Sequence, residues 1–332
     1  MSGLIPVVDL LATKKGKVKE AHLILFEKCN MRCSFCHQDH DSRVGLDGDA
    51  ILAKVQTLID NTHPDEHYVV NLTGGELFTD DIPDELFTYY LEAGRRLFAH
   101  FKDLKLVFGT NLVLTKVARV IGLIETLKPL GYVCLATSYD PAGRFNPAQR
   151  GVFLENLAKV QHLVETVNVV ITAQNVQLFL DGREGDEFTW MCEDFDVYFD
   201  HYIPSTRYQE HQPTEYAISE LYLKLAATYP NSYPIKQWKQ NHFNDTTCRS
   251  TKIVNKDGVV TTCWSEAGKD AVLDEAAGLL AKNAAEERFL EHYGCMACEY
   301  YQRCGLRCFL HHSFVEGTTA ECQIKLMFDR IL

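Results

Sequence analysis

The chain has 332 residues, 46% of them hydrophobic and 23% charged, with a formal net charge of −12 at pH 7. That composition is globular, and the negative charge argues against a general nucleic-acid binder, which carries a basic patch or stripe. No apolar run approaches the roughly 18 residues that span a bilayer. The apolar Leu4–Leu11 stretch precedes the basic Lys14-Lys15-Gly16-Lys17, the reverse of the secretory order, so a cytoplasmic location is expected.

From the N-terminal side, His22–Phe26 reads as a strand, and Asp49–Asn61 carries Ile51, Leu52, Val55, Leu58 and Ile59 at the spacing of an amphipathic helix. Strands are predicted at Tyr68–Leu72, Leu104–Phe108, Val133–Thr137, Val167–Thr172 and Val197–Ile203. Helices are predicted between them at Asp84–His100, Thr115–Leu127, Pro147–Val164 and Glu184–Glu193. Six alternating units of strand and helix imply a parallel sheet. Residues 204–245 differ, with Pro204, Pro213, Pro230 and Pro234, many aromatics and one helical segment near Ala217–Thr228. They read as a bridge between residues 1–203 and a second domain over 246–332. In that domain Lys252–Asn255 and Val259–Cys263 flank Lys256-Asp257-Gly258, a hairpin signal, and Asp270–Tyr293 reads as a helix.

Ten of the twelve cysteines fall into two groups. Cys29, Cys33 and Cys36 form a C-x3-C-x2-C run, and Cys248, Cys263, Cys295, Cys298, Cys304, Cys308 and Cys322 occupy the last quarter. Thiolates select zinc, copper(I) or iron–sulfur clusters. A structural zinc site closes with four ligands, and the first group offers three, so iron in iron–sulfur form with one open position fits it better. A pair of zinc sites would account for the C-terminal group alone. Disulfides belong to oxidising compartments and small secreted domains. Cys134 and Cys192, in a predicted strand and helix, read as small hydrophobes.

The first run, with Phe35 just before its last cysteine, resembles the cluster motif of radical S-adenosylmethionine enzymes. The second group is similar to that family's SPASM extension: Cys248, nine residues, Gly258, four residues and Cys263, then Cys295-x2-Cys298-x5-Cys304-x3-Cys308 and a final Cys322. The resemblance implies an α/β fold, a partial (β/α)6 TIM-like barrel followed by a small cysteine-rich α+β SPASM domain. It also implies three [4Fe-4S] clusters, one radical-generating and two auxiliary, S-adenosylmethionine as cofactor, and an external electron donor such as a flavodoxin or ferredoxin. Cys295, Cys298, Cys304 and Cys322 would hold the distal auxiliary cluster. Cys248, Cys263 and Cys308 would hold the proximal one, a thiolate short, with His242 a candidate for the gap.

Gly74, Gly75 and Glu76 follow the second predicted strand and look like the family's GGE motif, which implies a contact with the methionine ammonium; a plain turn is the alternative. Thr110 and Asn111, after the third strand, resemble a polar motif that contacts ribose or carboxylate, although Leu112 stands where the family often has glycine. Asn175, after the fifth strand, is a candidate of the same kind, or a cap. Asp140 is placed to face a substrate, or to form a turn before Pro141. His37 is a loop histidine next to the motif. SPASM-bearing members often modify peptides, so a peptide substrate is expected. A small molecule or modified base is the second reading, and a non-catalytic electron carrier the third. Some twenty residues precede the first strand, too few for a leader-recognition domain, so a peptide is expected to bind the barrel mouth directly or to come with a separate recognition protein.

Overall fold

The computed structural model of the chain describes residues 18–202, 209–239, 251–264, 275–301, 304 and 322–332. The N-terminal Leu4–Lys17 stretch, Pro204, His242, Cys248, Cys308 and the start of the helix predicted from Asp270 lie outside them.

Strands β1 (Lys19–Ile24), β2 (His67–Thr73), β3 (Asp103–Thr110), β4 (Tyr132–Ser138), β5 (Val164–Ile171) and β6 (Asp196–His201) alternate with helices α1 (Gly48–Asp60), α2 (Leu86–His100), α3 (Val117–Leu127), α4 (Pro147–Val160), α5 (Ala173–Leu180) and α6 (Asp186–Asp194). Each strand pairs in parallel with the next. The later part of the chain contributes α7 (Glu215–Thr228), α8 (Ile235–Lys239), β7 (Thr251–Val254), β8 (Val260–Thr261), α9 (Glu275–His292) and α10 (Gln323–Ile331). The sheet order is β6-β5-β4-β3-β2-β1-β7-β8, with β7 parallel to β1 and β8 antiparallel to β7. The β7–β8 hairpin therefore extends the six-stranded sheet at β1. Asn255 Oδ1 shapes its turn by accepting from the amides of Asp257 at 3.0 Å and Val259 at 2.9 Å.

Side chains alternate across a strand, and here the two faces differ in chemistry. Ala21, Leu23, Tyr68, Val70, Leu72, Leu104, Leu106 and Phe108 are buried under the helices. Glu20, His22, Asn71, Thr73, Lys105, Ser138, Asn168 and Tyr198 lie on the other face and remain partly open, and Asp200 on that face is exposed. That face is concave. Lys105 on β3 pairs with Glu165 on β5 across the intervening strand, and Asp200 on β6 feels the charge of Glu20 on β1. The six-stranded run curls into a partial barrel with a polar lumen.

Local signals set the helix starts. Asp47 caps α1 by accepting from the Ala50 amide at 2.7 Å, and Asn146 with Gln149 forms a capping box on α4 next to Pro147. Sequence reading differs from the structure in several places, among them the helices α8 and α10, which have no predicted counterpart. β1 begins at Lys19, three residues before the predicted strand, because Lys19 and Glu20 are charged lumen or edge positions that do not register as apolar. α4 ends at Val160 and β5 starts at Val164; apolar Leu163 and Val164 fit both periods, and the predicted helix ran through them. α5 has no predicted counterpart, although Thr172 caps it through the Asn175 amide.

Candidate active site

The chain leaves β1 at Ile24 and runs into the three-cysteine loop beside the exit of β2. Leu25 N donates to Thr73 O at 2.9 Å, Gly75 N to Phe26 O at 2.8 Å and Glu76 N to Lys28 O at 2.8 Å. The GGE segment and the root of the cysteine loop thus form one continuous ladder. A Cβ on Gly74 would meet Phe26 O at 2.3 Å, and one on Gly75 would meet Lys28 O at 2.0 Å. The two glycines are required by this close approach of two backbones. From below, the buried Lys54 of α1 donates its ammonium to Leu25 O, and burial lowers its pKa to about 8.

Cys29 is buried, and Cys33 and Cys36 are half-buried. Burial pushes the Cys29 thiol up to about 12 and the Cys36 thiol up to about 11, and raises that of Cys33 against the opposing charge of Arg144. Such thiols ionise when a metal coordinates them, since a bound cation inverts the local balance. Donors already point at the sulfur: Met31 N lies 3.4 Å and Asn111 Nδ2 3.8 Å from Cys29 Sγ. Among the described residues no group of three histidine, cysteine or carboxylate side chains converges as on a single metal ion. Three soft ligands spread along one loop, with amide donors to sulfur, fit an iron–sulfur cluster.

Glu76 is fully buried and pushed up to about 7 by that burial. Its carboxylate accepts from Phe78 N at 3.1 Å, Thr110 Oγ1 at 2.8 Å and Asn111 N at 2.5 Å. It binds the exit of β2 to the exit of β3. Asn111 Nδ2 also donates to Asn30 Oδ1 at 2.8 Å, which brings the third strand to the cysteine loop. Leu112, in the position noted above for its missing glycine, adopts a left-handed φ of 55°, a conformation costly for a bulky residue. Asn156 Nδ2 holds it there by donating to Leu112 O at 2.8 Å and Leu114 O at 2.7 Å.

Asp140 is fully buried and its carboxylate is committed within the protein. One oxygen accepts from Val170 N at 2.6 Å and Asn175 Nδ2 at 3.1 Å, and the other from Arg144 Nε at 2.5 Å. Asn175 also donates to Val170 O at 2.8 Å and accepts from Ala142 N at 2.9 Å. These residues hold the loop after β4 against β5. The product is the placement of Arg144, whose guanidinium lies 5.5 Å from the Phe35 ring centre and whose charge reaches Cys33. Ser34 N donates to Gly143 O at 2.9 Å, so the same loop grips the cysteine segment directly.

No protein-family model matches the sequence, and no curated protein matches it. Solved structures do match in shape. A structure of anSMEcpe, a radical S-adenosylmethionine enzyme with a SPASM domain, with bound AdoMet and the Cp18Cys peptide superposes with a TM-score of 0.61 at 14% identity, covering 95% of this chain and 96% of that one. Streptococcus suis SuiB bound to the precursor peptide SuiA superposes with a TM-score of 0.53 at 13% identity, covering 88% of this chain and 72% of that one. The chain shares the fold of these solved radical S-adenosylmethionine structures.

Within that fold, Cys29, Cys33, Cys36, Phe35, Gly74, Gly75, Glu76, Thr110 and Asn111 gather at the carboxyl ends of β1–β3, where barrels of this type carry their chemistry. Asp140 and Asn175 join them through Arg144. His37 is exposed. In the later part of the chain Cys263 follows β8, and Cys295–Ala297 form a tight turn with Cys298 N donating to Cys295 O at 3.0 Å. Cys304 and Cys322 pack against the main core. Cys134 is buried and Cys192 half-buried. Arg144, Lys54 and Asn156 were not among the residues singled out from sequence. Arg144 follows Asp140 by four residues, an ion-pair spacing that only a folded loop makes meaningful.

Proposed function

We propose that this protein is an enzyme of the reducing cytoplasm that cleaves S-adenosylmethionine reductively and takes a hydrogen atom from a peptide. The observation that carries this reading is the cysteine loop itself: one buried and two half-buried thiols held at the mouth of a polar lumen by the GGE ladder on one side and by Arg144 and Asp140 on the other. When bound, the cluster supplies an electron to S-adenosylmethionine, giving methionine and a 5′-deoxyadenosyl radical. The chain's own residues have defined tasks around that chemistry. Cys29, Cys33 and Cys36 would ligate three irons and leave the fourth for the cofactor's methionine end. The edge formed by Gly74, Gly75 and Glu76, with Thr110 and Asn111, shapes the wall against which that end lies. Glu76 keeps the two strand exits in register and leaves lone-pair capacity for an ammonium. Arg144 places a fixed positive charge beside Cys33 and covers Phe35.

A peptide substrate is supported by the two structural neighbours, whose structures hold Cp18Cys and SuiA peptides. The lumen face carries polar side chains that are accessible to solvent. Auxiliary clusters on Cys295, Cys298, Cys304 and Cys322, and on Cys248, Cys263 and Cys308, would accept an electron from a product radical, with the two domains meeting along β1 and β7. A flavodoxin or ferredoxin would supply the first electron.

The test is anaerobic reconstitution followed by iron counting and product analysis. Three cubanes give about twelve iron per chain. Replacing Cys29, Cys33 and Cys36 together with alanine is expected to remove about four of them and to abolish 5′-deoxyadenosine. A triple variant that still forms deoxyadenosine contradicts the assignment. Deuterium reaching deoxyadenosine from nucleosides or sugars and never from peptides contradicts the peptide reading alone.

A further inference from the structure

Charged side chains on the concave face of the sheet are paired, with one exception. His22 Nε2 lies 3.2 Å from Glu20, which also accepts from Asn71 Nδ2 at 3.0 Å. Lys105 pairs with Glu165, which accepts from the Tyr132 hydroxyl at 2.8 Å. Asp140 holds Arg144. Asp200, near the end of β6, has neither a hydrogen bond nor an ion pair among the described residues. Its lumen position follows from alternation: Val197 and Phe199 are buried in the core, and Tyr198 and Asp200 face the other way. Water reaches Asp200, yet the surrounding protein and the charges of Glu20 and Asp140 push its carboxyl up to about 7.

A second observation is independent of that carboxylate. Tyr222 on α7 is fully buried and within range of the Asp200 charge, and its hydroxyl has no hydrogen-bond partner among the described residues. A carboxylate among like charges costs free energy, and a cationic donor relieves it. The wall beside Asp200 suits the apolar stem that carries such a donor. Tyr198, two residues earlier on the same face, stacks on Tyr233 with ring centres 4.4 Å apart and planes 5° from parallel. Aromatic walls pack the methylenes of long basic side chains while the charged head reaches a polar group.

We infer that Asp200 seats a basic side chain of the substrate, the ammonium of a lysine or the guanidinium of an arginine, with Tyr198 along its stem and Tyr222 behind it. This rests on the peptide reading above and names the residue class which that peptide presents to the lumen. No bond is made or broken at Asp200; it binds and orients.

The experiment uses the reconstituted full-length protein and peptides identical except at one position, carrying lysine, arginine, norleucine, glutamine or glutamate. The variable residue and its neighbours are deuterated, and kcat/KM is read from label arriving in 5′-deoxyadenosine. The wild-type protein is expected to favour lysine over norleucine, which has the same stem without the charge, by about tenfold or more. Asp200→Asn is expected to bring that ratio close to one, and Asp200→Glu to keep it. Equal wild-type rates for lysine and norleucine overturn the assignment without any variant. Losses in Asp200→Asn that are the same for every peptide also overturn it, because they place Asp200 on the cofactor or in the fold. Label from no peptide at all overturns the peptide reading itself, a result distinct from transfer without charge preference.

Discussion

The barrel mouth and the barrel lumen are both polar, but the groups of the mouth are committed to one another while several of those in the lumen are not. At the mouth, Glu76, Asn111, Asp140, Asn175 and Arg144 are hydrogen-bonded to one another or to backbone. In the lumen, the side chains of Thr73, Ser138, Asn168 and Asp200 make no hydrogen bond among the described residues. Saturated buried networks rigidify, so the mouth is built to hold a shape. Uncommitted groups on a solvent-accessible wall are available to a ligand. The comparison separates residues that position the cofactor site from residues that read the substrate.

Perturbing the mouth should therefore damage every reaction equally. The largest effect is expected from Gly75→Ala, whose new Cβ would lie 2.0 Å from Lys28 O and 2.4 Å from Glu27 O. Both obstacles are backbone and cannot swing aside. Overpacking of this kind costs about 1–3 kcal/mol or more, and here it would push the cysteine loop off its ladder. Iron analysis should show the radical-generating cluster missing and deoxyadenosine formation lost for all substrates. Full iron loading in that variant would show the ladder to be dispensable.

A smaller but still uniform effect is expected from Arg144→Met. Partners just outside a metal's ligands typically contribute about 10–100-fold to affinity or activity, and Arg144 is the cation beside Cys33. The rate of S-adenosylmethionine cleavage should fall by about that factor, and the potential of the cluster should move to a more negative value. Arg144→Lys, which keeps the charge without the planar fork, should recover part of both. An unchanged potential would reduce Arg144 to a packing residue.

The smallest effect belongs to the lumen and should be selective. Asp200 has a carboxyl pushed up to about 7, so it is protonated below that value and anionic above it. The groups facing it are Glu20 from β1, Asp140 from the loop after β4, Tyr198 from β6 and Tyr222 from α7. For a lysine peptide, kcat/KM should rise as pH increases through about 7, because kcat/KM reports the free enzyme. For a norleucine peptide this rise should be absent, as it should be for either peptide in Asp200→Asn. The same profile for both peptides would assign the titration elsewhere.

Much of the mouth was legible in the sequence, because its motifs are local. Cys29, Cys33, Cys36 and the Gly74-Gly75-Glu76 run declare themselves by spacing and by their position after predicted strands. The reason for the glycines was not legible. It depends on two backbones from β1 and β2 meeting, a non-local fact. The pairing of β7 with β1 was hidden in the same way: the hairpin over 252–263 was visible, its place in the barrel sheet was not. Asp200 carried a weak signal, a carboxylate at a lumen-facing position late in a predicted strand. Its lack of a cationic partner among the described residues emerges only when the sheet curls and brings β6 to face β1. The sequence reads Asp140 as facing substrate or turning before Pro141, and Asn175 as a cofactor contact or a cap; what it does not show is the network through which both hold Arg144.

The most direct test of the central claim is the reaction of the reduced, reconstituted protein with S-adenosylmethionine and no other substrate, followed by quantification of methionine and 5′-deoxyadenosine. The account predicts both products in equal amounts, formed slowly without a peptide and faster with one. A protein loaded with iron on Cys29, Cys33 and Cys36 that leaves S-adenosylmethionine intact under strong reductant would contradict it.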